Sequence, residues 1–141
     1  MASSKNTTQI QWSAANSVTV ASATVVWSDA FTFNAEDWQA ELQVNADNAG
    51  TPAAGDVCDV YIAYSTGDIL GDAGDDFATV EHSEFLFRLD TYATNTPGED
   101  PANRSAPVRC GAKAFKVGVS CPQAASRNVV VRAMINTHRG Q

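Results

Sequence analysis

The 141-residue sequence predicts an all-β fold: a single-domain β-sandwich or jelly roll of about eight antiparallel strands. Three observations predict it. Apolar and polar residues alternate with period two through most of the chain. Runs rich in Gly, Pro and Asp separate the alternating segments. A hydrophobic content of 44% with only 18% charged residues is enough for a core and argues against disorder.

The elements follow in order. Residues 17–21 and 24–28 are β-branched runs, and 30–33 is a short apolar strand. From Trp38 to Ala46 the apolar residues fall at 38, 40, 42, 44 and 46, as on a half-buried strand. Residues 57–65 repeat the pattern with Cys58, Val60, Ile62 and Tyr64 on one face. Phe85, Phe87 and Leu89 share a face of 84–90, and Phe115, Val117 and Val119 share one of 113–119. Residues 127–137 put Val129, Val131, Ala133 and Ile135 inward. Residues 77–84 suit a short helix or helical turn. The segments 48–56, 67–76 and 91–107 read as connections, the last a long surface excursion with three prolines. Residues 1–12 start polar and small and read as an arm ahead of a 13–141 domain, so that their removal leaves the domain folded. Trp27, Trp38 and Phe85 are expected in the core, with Tyr61 and Tyr92 as exposed contacts.

Charge is unevenly spread. The net charge is −7, and all sixteen acidic residues, from Asp29 to Asp100, lie in the first hundred positions, where only Lys5 and Arg88 oppose them. Beyond residue 100 there are seven bases and no acid. An acidic chain is a poor candidate for nucleic-acid binding. No stretch is long and apolar enough to span a membrane, and MASSKNTTQIQW lacks the apolar core of an export signal. Three cysteines without such a signal fit reduced thiols in a cytoplasm. Cys58 sits on an apolar face, whereas Cys110 and Cys121 can meet across a hairpin.

Motifs for chemistry are sparse, and the chain reads as a non-enzyme without cofactors. Asp68, Asp72, Asp75 and Asp76 supply hard oxygen ligands for calcium, but their spacing does not match a calcium loop, and Asp and Gly also build ordinary turns. Glu81-His82-Ser83-Glu84 gathers triad residue types, yet neighbours in sequence do not converge as a triad must. Asp59 and Asp90 are carboxylates with no visible catalytic mate. There is no nucleotide-binding glycine loop.

The stretch from Val60 to Thr91 resembles small virion proteins of tailed bacteriophages. The likeness runs through Thr66-Gly67-Asp68, the Gly71–Asp76 loop, Glu81-His82, and Phe85-Leu86 with Leu89-Asp90. It continues in Asp100-Pro101 and in closing strands at Phe115-Lys116-Val117 and Val129–Ile135, covering roughly residues 17–136. Leu70 and the three cysteines fall outside the pattern. The resemblance implies a jelly-roll capsid decoration, or cement, protein made in a bacterial cytoplasm. Such a protein binds the capsid exterior of the virion, partners the major capsid protein and itself as a homodimer, and carries no catalytic residues. The contact residues expected on this reading are Ile10, Trp12, Thr51, Pro52, Tyr92, Arg104 and Arg109. The alternative is a carbohydrate- or receptor-binding module of a phage fibre or tail.

Overall fold

The computed structural model describes residues 3–21, 24–48, 53–93, 102–122 and 128–140. They form ten strands in two antiparallel sheets: β1 (Ser3–Gln9), β2 (Val18–Val20), β3 (Val25–Trp27), β4 (Phe31–Thr32), β5 (Asp37–Asn48), β6 (Val57–Ser65), β7 (Glu84–Asp90), β8 (Ala102–Val108), β9 (Ala114–Ser120) and β10 (Val129–Gly140). The first sheet runs β1-β10-β5-β8, with β2 on the same strand, β10, further along. The second runs β3-β9-β6-β7, with β4 also on β9.

β1 and β2 act as one broken strand along β10, and β3 and β4 as another along β9. Taken so, eight strands remain, and the chain crosses between sheets at every connection except the β6–β7 hairpin. That order, with the last strand beside the first, is the jelly roll. Inward residues of both sheets meet in one core, built from Leu42, Val44, Ile62, Phe115, Val131 and Ile135 with their neighbours. The predicted helical turn is a 3-10 turn at Val80–His82. Among the described residues no helix is long and apolar enough to cross a membrane.

Two expectations are corrected. Residues 3–12 are not an arm. Ser3–Gln9 pairs residue by residue with β10, from Ser3 opposite Gly140 to Gln9 opposite Met134. Ile10 and Trp12 then turn inward and are 2% and 3% exposed. Removing residues 1–12 therefore takes away an edge strand and two core side chains. The 91–107 excursion is also shorter than expected, because Ala102–Val108 is the edge strand beside β5. Pro107, which has no amide to donate, is tolerated at such an edge.

The hinge between β1 and β2 is a two-residue turn. Trp12 and Ala15 exchange backbone hydrogen bonds of 2.7 and 2.9 Å around Ser13 and Ala14, whose φ angles are 47° and 64°. Positive φ at both central residues is the hairpin turn usually made by Asn-Gly. Here the Asp29 carboxylate accepts both exposed amides, from Ser13 at 3.1 Å and Ala14 at 2.9 Å.

Several polar groups inside the fold are paired. The Ser28 amide donates to the Val117 carbonyl and the Ser28 hydroxyl oxygen accepts from the Val117 amide, which extends β3 along β9. Asp56 accepts from the Asn48 side chain at 3.2 Å and the Ala53 amide at 2.9 Å, while its carbonyl receives the Thr91 amide. The fully buried Asp37 carboxylate pairs with Arg139 Nε at 2.7 Å, which ties the start of β5 to the end of β10.

Candidate functional site

The outer face of the second sheet carries a row of aromatics across four strands. Register sets Trp27 of β3 opposite Gly118 of β9, Gly118 opposite Tyr61 of β6, and Tyr61 opposite Phe85 of β7. Trp27 fills the space that Gly118 leaves, since a β-carbon there would meet the indole at 2.7 Å. Tyr61 and Phe85 meet edge to face at 5.6 Å. Val25 and Val80 add exposed apolar surface. A hollow of about 400 Å³ lies between Trp27, Ala63, Phe77, Val80 and Lys116. Lys116 sits over the Phe77 ring at 4.6 Å. Asp59, whose register neighbour is Ser120, flanks the row and holds Arg88 through two bonds of 2.6 and 2.9 Å. This pairing raises the Arg88 pKa, chiefly through the hydrogen bond. Both charges at this border are thereby engaged, while Glu81 and Lys116 bring charge to the hollow beside the row.

The outer face of the first sheet is different. It is lined by amides and hydroxyls: Thr7 donates to Asn136, Asn45 donates to Asn103 at 3.1 Å, and Gln9, Gln43 and Arg132 border a hollow of about 260 Å³. Trp38, 59% exposed, stands against His138 at 5.6 Å on this sheet.

Two of the three aromatics expected in the core are thus outside. Each lies at a β-bulge. Register shifts between His138 and Arg139, so that Gln39 and Asp37 find partners and Trp38 does not. Asp37 takes the inward place and Trp38 turns out. Register shifts again between Val60 and Tyr61, so that Phe85 pairs with outward Tyr61 while Phe87 pairs with inward Val60. Phe85 is 56% exposed as a result. Trp27 is half-buried against Gly118. A one-residue slip reverses the face of every residue beyond it.

The expected contact residues scatter. Ile10 and Trp12 lie in the core and are corrected as surface contacts. Thr51 and Pro52 lie outside the described residues. Tyr92 is exposed, its amide held by Asp90 at 3.0 Å. Arg104 covers the Phe87 ring at 5.6 Å where β8 nears β7. Arg109 pairs with Glu84 at 3.0 Å and lies over Tyr64 at 4.3 Å. Burial raises the Tyr64 hydroxyl pKa, against the opposing effect of the Arg109 amide that donates to it.

The acidic loop turns its carboxylates on itself. Asp68 accepts from the amides of Gly71, Asp72 and Ala73, and Asp76 from those of Ile69 and Leu70. The Ala73 amide, then those of Gly71 and Asp72, hold the Asp68 carboxyl below its ordinary pKa. Asp75 pairs with Lys113 at 2.7 Å, and Asp72 accepts the Gly74 amide. Among the described residues no three metal-ligating side chains converge. Ser83 donates to the Val80 carbonyl at 2.9 Å, within its own turn.

The cysteine pairing also differs from the expectation. Cys121 meets Cys58 at 2.6 Å between sulfurs, not Cys110. The reason is register, since Cys58 and Cys121 flank the paired Asp59 and Ser120. Cys110 is half-buried after β8, where burial, then the Asp37 charge, raises its thiol pKa.

No family model and no curated protein matches the chain. Among solved structures it is similar to a chain in the structure of infectious bursal disease virus, Gt strain. Identity is 11%, the likeness covers 96% of this chain and 40% of that one, and the TM-score is 0.29. The chain thus spans less than half the length of that solved chain, and a likeness of this depth carries no argument about function.

Proposed function

We propose that this chain is a structural virion protein, a decoration or cement protein that seats on the outside of a capsid and bridges neighbouring major capsid protein subunits. The observation that carries the reading is the outward-facing row on the second sheet, half-buried Trp27 and Tyr61 with exposed Phe85. Outward aromatics with charged groups at their border are the make-up of a surface that adheres. The sequence resemblance to phage virion proteins names the partner, and the jelly-roll strand order agrees with it. Binding only the assembled shell stabilises that shell by mass action. A homodimer doubles the contacts and raises their effective concentration. On this reading the chain catalyses nothing and needs no cofactor.

Co-sedimentation with undecorated capsids tests it. The unaltered chain should pellet with them, and Phe85→Asp should stay in the supernatant while keeping its melting temperature. Equal pelleting of the two proteins would remove the aromatic row from the interface, and no pelleting of the unaltered chain would remove the function.

A second reading rests on Trp38, exposed beside His138 on the amide-lined face of the first sheet. An exposed indole among amides suits stacking on a sugar ring. Glycan-array binding that Trp38→Ala abolishes would favour a carbohydrate-binding module.

A further inference from the structure

Cys58 is the second residue of β6, and Cys121 directly follows β9. The antiparallel register that sets Asp59 opposite Ser120 sets Cys58 opposite Cys121 one step further on. Both side chains are fully buried, and their sulfurs lie 2.6 Å apart. A disulfide is about 2.05 Å long, so the bond needs a further approach of about 0.6 Å between strands already paired. We propose that Cys58 and Cys121 form a redox modification site, closing under oxidising conditions into a disulfide that staples the two central strands of the second sheet. Cys110 takes no part.

The chemistry requires a small-molecule disulfide such as oxidised glutathione as oxidant. One cysteine thiolate attacks it, forms a mixed disulfide and releases one glutathione thiolate. The other cysteine thiolate then attacks the sulfur of its neighbour and releases the second. Two protein thiols and one oxidised glutathione become one protein disulfide and two reduced glutathiones. In the folded chain the hydrogen bond to Cys121, then burial, push the Cys58 thiol far above its ordinary pKa. Thiolate is therefore scarce once the core has closed, and the bond forms during folding or local opening. Burial then shields it from reductants. A reducing cytoplasm keeps the pair as thiols and an oxidising exterior closes it. The tie spans 63 residues of sequence, a long loop of the kind whose closure most restricts the unfolded chain. This inference stands apart from the proposed function.

The test uses the full chain carrying Cys110→Ser, unfolded in reductant and refolded in parallel with dithiothreitol and with excess oxidised glutathione. After unfolding and alkylation, the oxidised sample should take up no alkylating agent and weigh two hydrogen atoms less than the reduced protein. Its melting temperature should be higher by roughly 10 °C, a gain lost when it is unfolded and refolded with dithiothreitol. The same chain with Cys58→Ser and Cys121→Ser added should melt identically in both buffers. Alkylation of both thiols in the oxidised sample, stable glutathione adducts, or a covalent dimer would overturn the proposal. If Cys110→Ser does not fold, peptide mapping of the oxidised unaltered chain decides. A peptide linking residues 58 and 121 supports the site, and any other linkage, or none, overturns it.

Discussion

The indole of Trp27 occupies the space above Gly118 on the neighbouring strand, where a β-carbon would stand 2.7 Å from its ring. Gly118 is needed there for room. Gly118→Ala should therefore force the indole off the sheet and cost about 1–3 kcal/mol, as overpacking does. Thermal or denaturant unfolding measures this, together with a change in Trp fluorescence. Phe85→Ala, on the exposed end of the same row, should leave stability nearly unchanged.

The turn at Ser13 and Ala14 holds two residues in a left-handed conformation that costs roughly 1–2 kcal/mol for each non-glycine residue. Ala14→Gly should raise stability by about 1 kcal/mol. Asp29→Ala, which strips the acceptor from both turn amides, should lower it by about 1 kcal/mol. Equilibrium unfolding of the two variants should move in opposite directions, and a destabilised Ala14→Gly would show that the turn is not strained.

The Asp68 carboxylate organises the acidic loop, and its pKa lies below the ordinary value. A depressed carboxyl contributes stability that is full above the unfolded value and is lost as pH falls through the folded one. The Gly71 and Ala73 amide resonances should thus hold steady at neutral pH and shift together in acid, at a pH below the ordinary carboxylate value. Asp68→Asn should remove that acid transition. Because the carboxylates already serve backbone amides, millimolar calcium should leave the melting temperature where it is.

Arg139 neutralises a carboxylate, Asp37, that exposes no surface. Arg139→Ala leaves that charge buried with only the Asn34 amide as donor among the contacts described. The expected loss is about 2–3 kcal/mol, lower than for a fully buried pair because Arg139 is itself one-third exposed. Asp37→Asn should cost less, and denaturant titration of both variants ranks them.

Strands β5, β6, β9 and β10 were legible because one face is core and the other is not, which writes alternation into the residues. β1 and β8 were not. Ser3–Gln9 has no apolar residue, and Ala102–Val108 has Pro107 and little bulk, so neither carries an alternating signal. Both are edge strands held by backbone pairing to β10 and β5, and such pairing leaves no mark on residue type. The exposed aromatics were misplaced for one shared reason. Period two assigns Trp38 and Phe85 to the core, and a bulge beside each reverses it. A bulge is set by how two distant segments register, which no local pattern records. Tyr61 faces outward as its alternation predicts, though half-buried, because the extra residue of that bulge, Leu86, lies on β7 and leaves the alternation of β6 intact.

The aromatic face of the second sheet is the surface proposed to adhere to a capsid exterior. A reconstruction of the mature particle tests it most directly. Density for this chain is expected on the outer surface, in many copies, with Trp27 and Phe85 turned toward major capsid protein. Mature heads without the chain on their exterior, or with that face open to solvent, would contradict it.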